Sequence, residues 1–486
     1  MKKTVILTAI VMTVILLFTA VTGSGERAAW DCPNPECGRK GNTGAFCGGC
    51  GYPAPDAIPD AAETPSNIPE GYPAVIEGLD FGGQEVFIYD WYSDGTRNQY
   101  PNKEQQLQYD YWDWLQETYN VTVTQIKLAD WFGMPTELAA IAEQKDNSRL
   151  CIVSLGSGFA SQAIADGLFM PWTYGLDQDV FNVETVQFMS RNGVCYGVSW
   201  GTEVEPRQGV FFNKRILEEA KIDWNEIYDA QANGTWTWAK MEEYMDKVQR
   251  SGDGKTDIWA LTGNRDDVTV GLVVSNEADF FKVNINGKLL PAIRSADTKE
   301  ALEKRIEWGK KYLRPYSEWD DYKRFWAEGN VAFMIGQAYE GFAYNSTVGQ
   351  IADGWGFVAM PKGPRSDRYV SAADNNVYGI PNAYDEATAL KLEQLFTLWT
   401  SPVPGADKNA WAEGMDQLTD NRAIYETYAM LRQNEHACIM NYLLLGDRDS
   451  VASEVMLWLD SGYTADEIID FAQPIFQERC DKYNGK

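Results

Sequence analysis

The chain has 486 residues, 44% of them apolar and 13% aromatic, enough for a large buried core and too long for one ordinary domain, so at least two lobes are expected. Its 70 acidic residues against 42 basic ones leave a formal charge of −28. A polyanion of this size repels nucleic acid and anionic lipid, which argues against nucleic acid as a partner.

Residues 1–25 read as an export signal or an N-terminal anchor. Lys2 and Lys3 precede an apolar run from Val5 to Val21, followed by the small residues Thr22, Gly23 and Ser24. The run is longer than a usual signal core and short for a spanning helix, so cleavage near Gly23 and retention close to the membrane both stay open. Cys32 follows Ala29, Trp30 and Asp31 rather than a small-residue lipidation box. The protein is expected outside the cytoplasm, on the extracellular face of the membrane or secreted.

Residues 26–52 hold a cysteine and glycine cluster in which Cys32 and Cys37, then Cys47 and Cys50, resemble the thiolate pairs of a small zinc ribbon. Four residues separate the first pair, a departure from ribbon spacing. Two disulfides are the alternative that an oxidising compartment favours. A structural Zn would organise a segment that has no core of its own. Residues 53–75, with prolines at 53, 55, 59, 65, 69 and 73, read as an extended linker, so the main domain begins near Ile76.

From there strands and helices alternate. Gln84 to Trp91 is strand-like; Leu107, Tyr111, Trp114 and Leu115 recur at helical spacing; Val121 to Ile126 alternates apolar and polar. A helix over Thr136 to Gln144 leads to Leu150 to Leu155, a short apolar run suited to a buried parallel strand. Later, Leu302, Ile306, Gly309 and Leu313 share a helix face, and Thr464 with Glu467 forms a capping box. The pattern is α/β.

Several segments resemble, in order, the family 1 extracellular solute-binding proteins that serve ABC importers. Gly83 to Trp91 is similar to the opening strand. Leu150 to Ser157, followed by Ala165 to Trp172, is similar to the second strand and its helix. Gly209-Val210-Phe211-Phe212-Asn213-Lys214 resembles the segment that opens the second lobe, and Trp236 to Trp238 resembles the start of its next helix. Trp326 to Met334, Val358 to Pro364 and Val377 to Pro381 complete the series. The resemblance implies a two-lobed periplasmic-binding-protein-like fold with hinge crossovers. Lobe one would be about 76–198 and 336–383, and lobe two 199–335 and 384–486. It further implies a non-enzymatic receptor that closes on a small polar solute and delivers it to an ABC permease.

In open α/β sheets the ligand sits beyond the carboxyl ends of the strands. The candidates there are Trp91, Tyr92 and Asp94, then Ser157, Trp200, Glu203 and Glu205, then Gln337, Tyr339 and Glu340, and finally Asp374, Asn375 and Asn376. Flat rings mixed with carboxylates and amides suit a sugar, whose C–H faces stack while its hydroxyls pair. Any one of these residues is equally at home in a core or on a solvated rim.

Two enzymatic readings compete. Gly197-Val198-Ser199-Trp200-Gly201 matches a nucleophile elbow, but a loop rather than a helix follows it, and the lone histidine, His436, lies in Leu431 to Tyr442, a stretch expected to be an amphipathic helix. A glycosidase needs only two carboxylates several Å apart, and this chain has many. Two disulfides among Cys151, Cys195, Cys438 and Cys480 stay open, with buried thiols the alternative for Cys151 and Cys195 in their apolar strands, and Asp253 to Asp257 reads as a plain turn because it lacks the full ligand spacing of a calcium loop.

Overall fold

The computed structural model describes residues 68–485, apart from 146–148, 251–256, 343–350, 408–409, 413–414, 416–418, 447–450 and 452–454, together with Cys37 and Lys40. The export segment, most of the linker, Cys32, Cys47, Cys50 and most of the Asp253 to Asp257 turn lie outside the described residues. Met1–Val75 forms one unit and Ile76–Lys486 another.

In chain order, the strands of the two main sheets are β1 Gln84–Asp90, β2 Val121–Lys127, β3 Leu150–Leu155, β4 Val198–Ser199, β5 Gln208–Asn213, β6 Trp259–Gly263, β7 Val331–Gln337, β8 Trp355–Ala359 and β9 Val377–Gly379. The first sheet runs β2-β1-β3-β9-β4. Its first three strands are parallel, and β9 is antiparallel to both β3 and β4. Every residue of β3 is buried, as its apolar composition requires of a strand covered on both faces. The second sheet runs β8-β5-β7-β6, with β5 antiparallel to both neighbours and β7 parallel to β6.

Sheet membership corrects the expected lobe boundaries. β8 hydrogen-bonds to β5, from Trp355 opposite Asn213 to Ala359 opposite Gly209, so the stretch after 336 stays in lobe two through this strand. The family resemblance implies a direct return to lobe one, but a short helix, Tyr339–Phe342, separates β7 from β8 and the chain comes back to the same sheet. Conversely, the helix Glu386–Thr400 belongs with lobe one: Trp112 stacks on Trp399 at 4.4 Å, and the Tyr111 hydroxyl donates to the Leu398 carbonyl at 3.1 Å. Two crossovers, residues 200–207 and 360–376, join the sheets, and a third stretch beyond Thr400 returns to lobe two, where Tyr228 donates to Asp420 at 2.9 Å.

Local signals behave as their chemistry dictates. Thr464 and Glu467 form the reciprocal capping box, and Thr237 caps Trp238–Val248. The expected helix over Leu431 to Tyr442 does not form. Asn434–His436 is a 3-10 turn and Ala437–Cys438 a strand paired with Ser371–Ala372, so the apolar residues there answer to a strand partner rather than a helix face.

In lobe two, glycine and aromatic residues interlock across strands. Gly356 faces Phe212 in register, and a Cβ on it would lie 2.1 Å from the Phe212 ring. On the same strand pair a Cβ on Gly209 would lie 2.2 Å from the Phe357 ring. Both rings settle onto bare backbone, which thickens the core without spreading the sheet. Gly356→Ala is expected to destabilise the protein by about 1–3 kcal/mol through overpacking, seen as a lower urea midpoint with an unchanged slope.

Candidate functional site

The first wall of the site is organised by a buried carboxylate. Asp90, at the end of β1, is fully buried and accepts four hydrogen bonds: from the amides of Tyr92 at 2.9 Å and Ser93 at 2.8 Å, from the Ser93 hydroxyl at 2.6 Å, and from Gln125 Nε2 at 2.8 Å. A buried carboxylate without such donors would be strongly disfavoured. Here it turns the chain as β1 ends and aims Tyr92 and Gln125 at the cleft.

Rings complete that wall. The Tyr92 and Tyr378 hydroxyls lie 3.4 Å apart, and burial pushes both phenols up from their ordinary range. Trp112, on the helix Lys103–Thr118, is locked by its stack on Trp399 and by donation from its indole to the Trp399 carbonyl at 3.0 Å. Trp200 meets Trp112 at 6.2 Å and Tyr378 at 5.9 Å, both edge-on.

The second wall comes from the crossovers. The Asn375 side chain accepts from the Glu205 amide at 2.7 Å and donates to the Glu203 carbonyl at 3.0 Å. One amide thus does for residues 203–205 what a neighbouring strand would do. Glu203 is ion-paired with Arg432, whose guanidinium lies over Trp411 at 4.8 Å and Tyr428 at 5.5 Å. Burial lowers Arg432 to about 10, which leaves it cationic at neutral pH. Glu205 pairs with Arg207 at 3.4 Å, and Arg207 also donates to the Asp374 carbonyl. Burial raises the Glu205 carboxyl; Arg207 opposes the shift and Asp374 adds to it.

Between the walls is a cavity of about 430 Å³ lined by Tyr92, Trp112, Gln125, Trp200, Glu203, Val204, Glu205, Asn375, Asn376, Tyr378 and Arg432. Each carboxylate in it has a cation beside it, so the lining presents rings, amides and balanced charge. Its size is within the range of small-ligand sites.

Of the residues expected from sequence, Tyr92, Trp200, Glu205 and Asn375 line this cavity, as do Glu203 and Asn376. Ser157 and Asp374 stand behind it: the Ser157 hydroxyl donates to the Asn375 carbonyl at 3.3 Å, and its amide to Asp374 Oδ1 at 3.4 Å. Trp91 packs edge-on against Tyr92 and Trp131 just outside. Asp94 lies off the cavity, an exposed carboxylate that accepts from the Thr96 amide and hydroxyl at 2.9 and 2.7 Å. In lobe two, Gln337 ends β7 and Tyr339 opens the short helix after it; the Gln337 amide donates to Glu340 at 2.9 Å and Arg207 lies over the Tyr339 ring at 6.0 Å. Neither is on the cavity wall.

Trp112, Gln125, Val204, Tyr378 and Arg432 line the cavity without having been candidates from strand ends. Trp112 sits mid-helix and Arg432 more than 220 residues from its partner Glu203, so only packing brings them in. Gln125 had a signal in sequence, as a polar residue near the carboxyl end of β2.

The serine-elbow pattern is structural. Ser199 is fully buried in β4; its hydroxyl donates to the Gly201 carbonyl and accepts from the Asn182 amide, both at 2.9 Å. His436 is held by the Tyr369 carbonyl at 2.8 Å, far along the chain from Ser199 and in no contact with it.

Comparison with known proteins agrees with this architecture. The ABC substrate-binding protein Lmo0181 from Listeria monocytogenes, solved with cycloalternan, aligns at 15% identity over 83% of this chain and 99% of its own, with a TM-score of 0.56. Maltose-bound MalE3 of T. maritima aligns at 15% identity over 81% and 99%, TM-score 0.55. The GacH receptor of Streptomyces glaucescens, solved unliganded and with acarbose, aligns at 12% identity over 82% and 99%, TM-score 0.57. No curated protein sequence matches. Residues 113–415, well over half of the chain, match the family model for bacterial extracellular solute-binding proteins, and the chain belongs to that family.

Proposed function

We propose that the protein captures a neutral saccharide in this cleft and presents it to the permease of an ABC importer. The observation that carries the reading is the lining itself, in which Tyr92, Trp112, Trp200 and Tyr378 offer ring faces and edges while Gln125, Asn375 and Asn376 offer amides. Rings suit sugar C–H faces and amides suit hydroxyls. Glu203 and Glu205 are already paired with Arg432 and Arg207, so a charged ligand would have to break an ion pair to find a partner. The relatives' own ligands, cycloalternan, maltose and acarbose, point the same way.

Binding works through the hinge. A saccharide that touches both the lobe-one rings and the crossover wall stabilises the closed arrangement by its differential affinity for it, and the permease reads that closed surface. Function of this kind needs export, for which the apolar stretch near the N-terminus is the supporting feature. The segment Cys32, Cys37, Cys47 and Cys50 is proposed as a structural zinc ribbon that stands between membrane and receptor, supported by its spacing in sequence. The purified chain is then expected to carry one zinc, released by thiol-reactive mercurial and measured with a metal-binding dye; oxidised cysteines with no zinc would mean disulfides instead.

Thermal unfolding of the full chain with mono- and oligosaccharides, amino acids and polyamines tests the main reading. A true ligand at a hundredfold excess over its Kd adds about 2.7 kcal/mol to the folded state, so one saccharide class is expected to raise Tm and to be recovered unchanged. Cleaved sugar would make the protein a hydrolase, and a response confined to amino acids or polyamines would refute the saccharide.

The Glu205 carboxyl gives a pH signature. Its raised pKa means that it protonates at a higher pH than an ordinary glutamate, and protonation removes its ion pair with Arg207 and one acceptor for ligand. Saccharide affinity is expected to fall as pH drops through that raised value, and Glu205→Gln to flatten the profile. Calorimetric titration across mildly acidic pH measures both.

A further inference from the structure

We propose that the binding surface continues outward from the cavity along an aromatic ladder on lobe one, with Trp91, Trp131 and Phe132 carrying further units of an extended oligosaccharide. This rests on the saccharide reading of the cleft. The ladder begins at the cavity wall. Trp91 meets Tyr92 edge-on at 5.3 Å, Trp131 meets Trp91 edge-on at 4.6 Å, and Phe159 lies 5.3 Å beyond Trp131.

Its position follows from topology. Trp91 directly follows β1, Trp131 lies in the turn after β2, and Phe159 is in the helix Ser157–Ala165 after β3. All three therefore stand at the carboxyl edge of the parallel strands, the edge on which the cavity opens. The ladder is continuous with the cleft rather than a separate patch.

The turn that bears it is held in place. Asp130 Oδ1 accepts from the Gly133 amide at 2.8 Å, and the Asp130 carbonyl accepts from the Gly133 and Met134 amides, both at 3.1 Å. A Cβ on Gly156 would lie 2.2 Å from the Trp131 ring, so the indole sits directly against the start of the helix. Phe132, on the same fixed turn, is 74% exposed, and Trp91 and Trp131 are each partly exposed. A rigid turn that presents aromatic surface to water beside a ligand cavity makes sense when something covers it. Asp130, next to Trp131 in sequence, and Asp94, three residues past Trp91, are both exposed and supply acceptors for hydroxyls. A glycan chain leaving the cavity meets this surface with both of the contacts it needs, flat faces and polar acceptors.

The full chain, Trp131→Ala and Phe132→Ala would be titrated calorimetrically with maltose to maltohexaose and cellobiose to cellohexaose. In the unaltered protein, affinity is expected to rise with length beyond the disaccharide in one series. Each substitution is expected to lower hexasaccharide affinity about fivefold, the worth of one ring contact, and to leave disaccharide affinity within about twofold. Phe132→Ala keeps the test decisive if Trp131→Ala disturbs the helix behind it, because so exposed a side chain can be removed without unfolding. Equal losses at every length, or wild-type affinity that does not depend on length, would overturn the ladder and leave the saccharide cleft standing. No binding of either series at millimolar concentration would overturn both.

Discussion

The site depends on one hydrogen-bonded side chain, the amide of Asn375. A two-lobed protein must send its chain back and forth across a gap, where only short pairings, Pro206 opposite Ala373 and Ser371–Ala372 beside Ala437–Cys438, satisfy the backbone. Asn375 is on the second crossover, and its amide accepts from Glu205 and donates to Glu203 on the first. That pairing, together with the Arg207 amide donating to the Ala372 carbonyl at 2.8 Å, sets the register of two segments that meet from 170 residues apart. It also fixes where Glu203, Val204 and Glu205 face, and hence the shape of the cavity. Ser157, donating to the Asn375 carbonyl, anchors the same point to the carboxyl end of β3.

Electrostatics follow from that frame. The chain as a whole is strongly acidic, yet inside the cleft each glutamate has an arginine beside it. Arg432 rests on Trp411 and Tyr428, so the same residues that bury the cation also stabilise it through their ring faces. The balance leaves a cavity whose remaining chemistry is stacking and neutral hydrogen bonding. Asp90 plays the equivalent part on lobe one, where its charge is spread over four donors rather than one cation.

Much of this was legible from residues alone. The alternation of strand-like and helical segments announced an α/β architecture, and the capping box at Thr464 and Glu467 formed as written. Tyr92, Trp200 and Glu205, expected after strands, and Asn375, expected just before β9, do line the cavity, because a cleft at a carboxyl sheet edge is a rule of topology. Strand ends do not lead to the wall for Gln337, the last residue of β7, or for Tyr339 in the short helix after it, both of which lie in lobe two off the cavity. The lobe boundary near 336 failed for a related reason. Trp355–Ala359 is apolar enough for either sheet, and only its pairing with β5 decides between them.

By itself, then, the sequence determined the local matters: where helices start, which strands are buried on both faces, and which residue types are available at strand ends. These depend on spacing of a few residues and on side-chain chemistry, and both can be read along a line. Tertiary structure alone decided that Trp112 stacks on Trp399, that Arg432 neutralises Glu203, and that the rings of Phe212 and Phe357 rest on Gly356 and Gly209. It likewise made Ser199 a buried structural hydroxyl despite its elbow-like surroundings. The stacking, the ion pair and the ring-on-glycine contacts join segments far apart in the chain, chosen by packing and by the need to satisfy buried polar groups, and no local pattern encodes which distant partner will meet them.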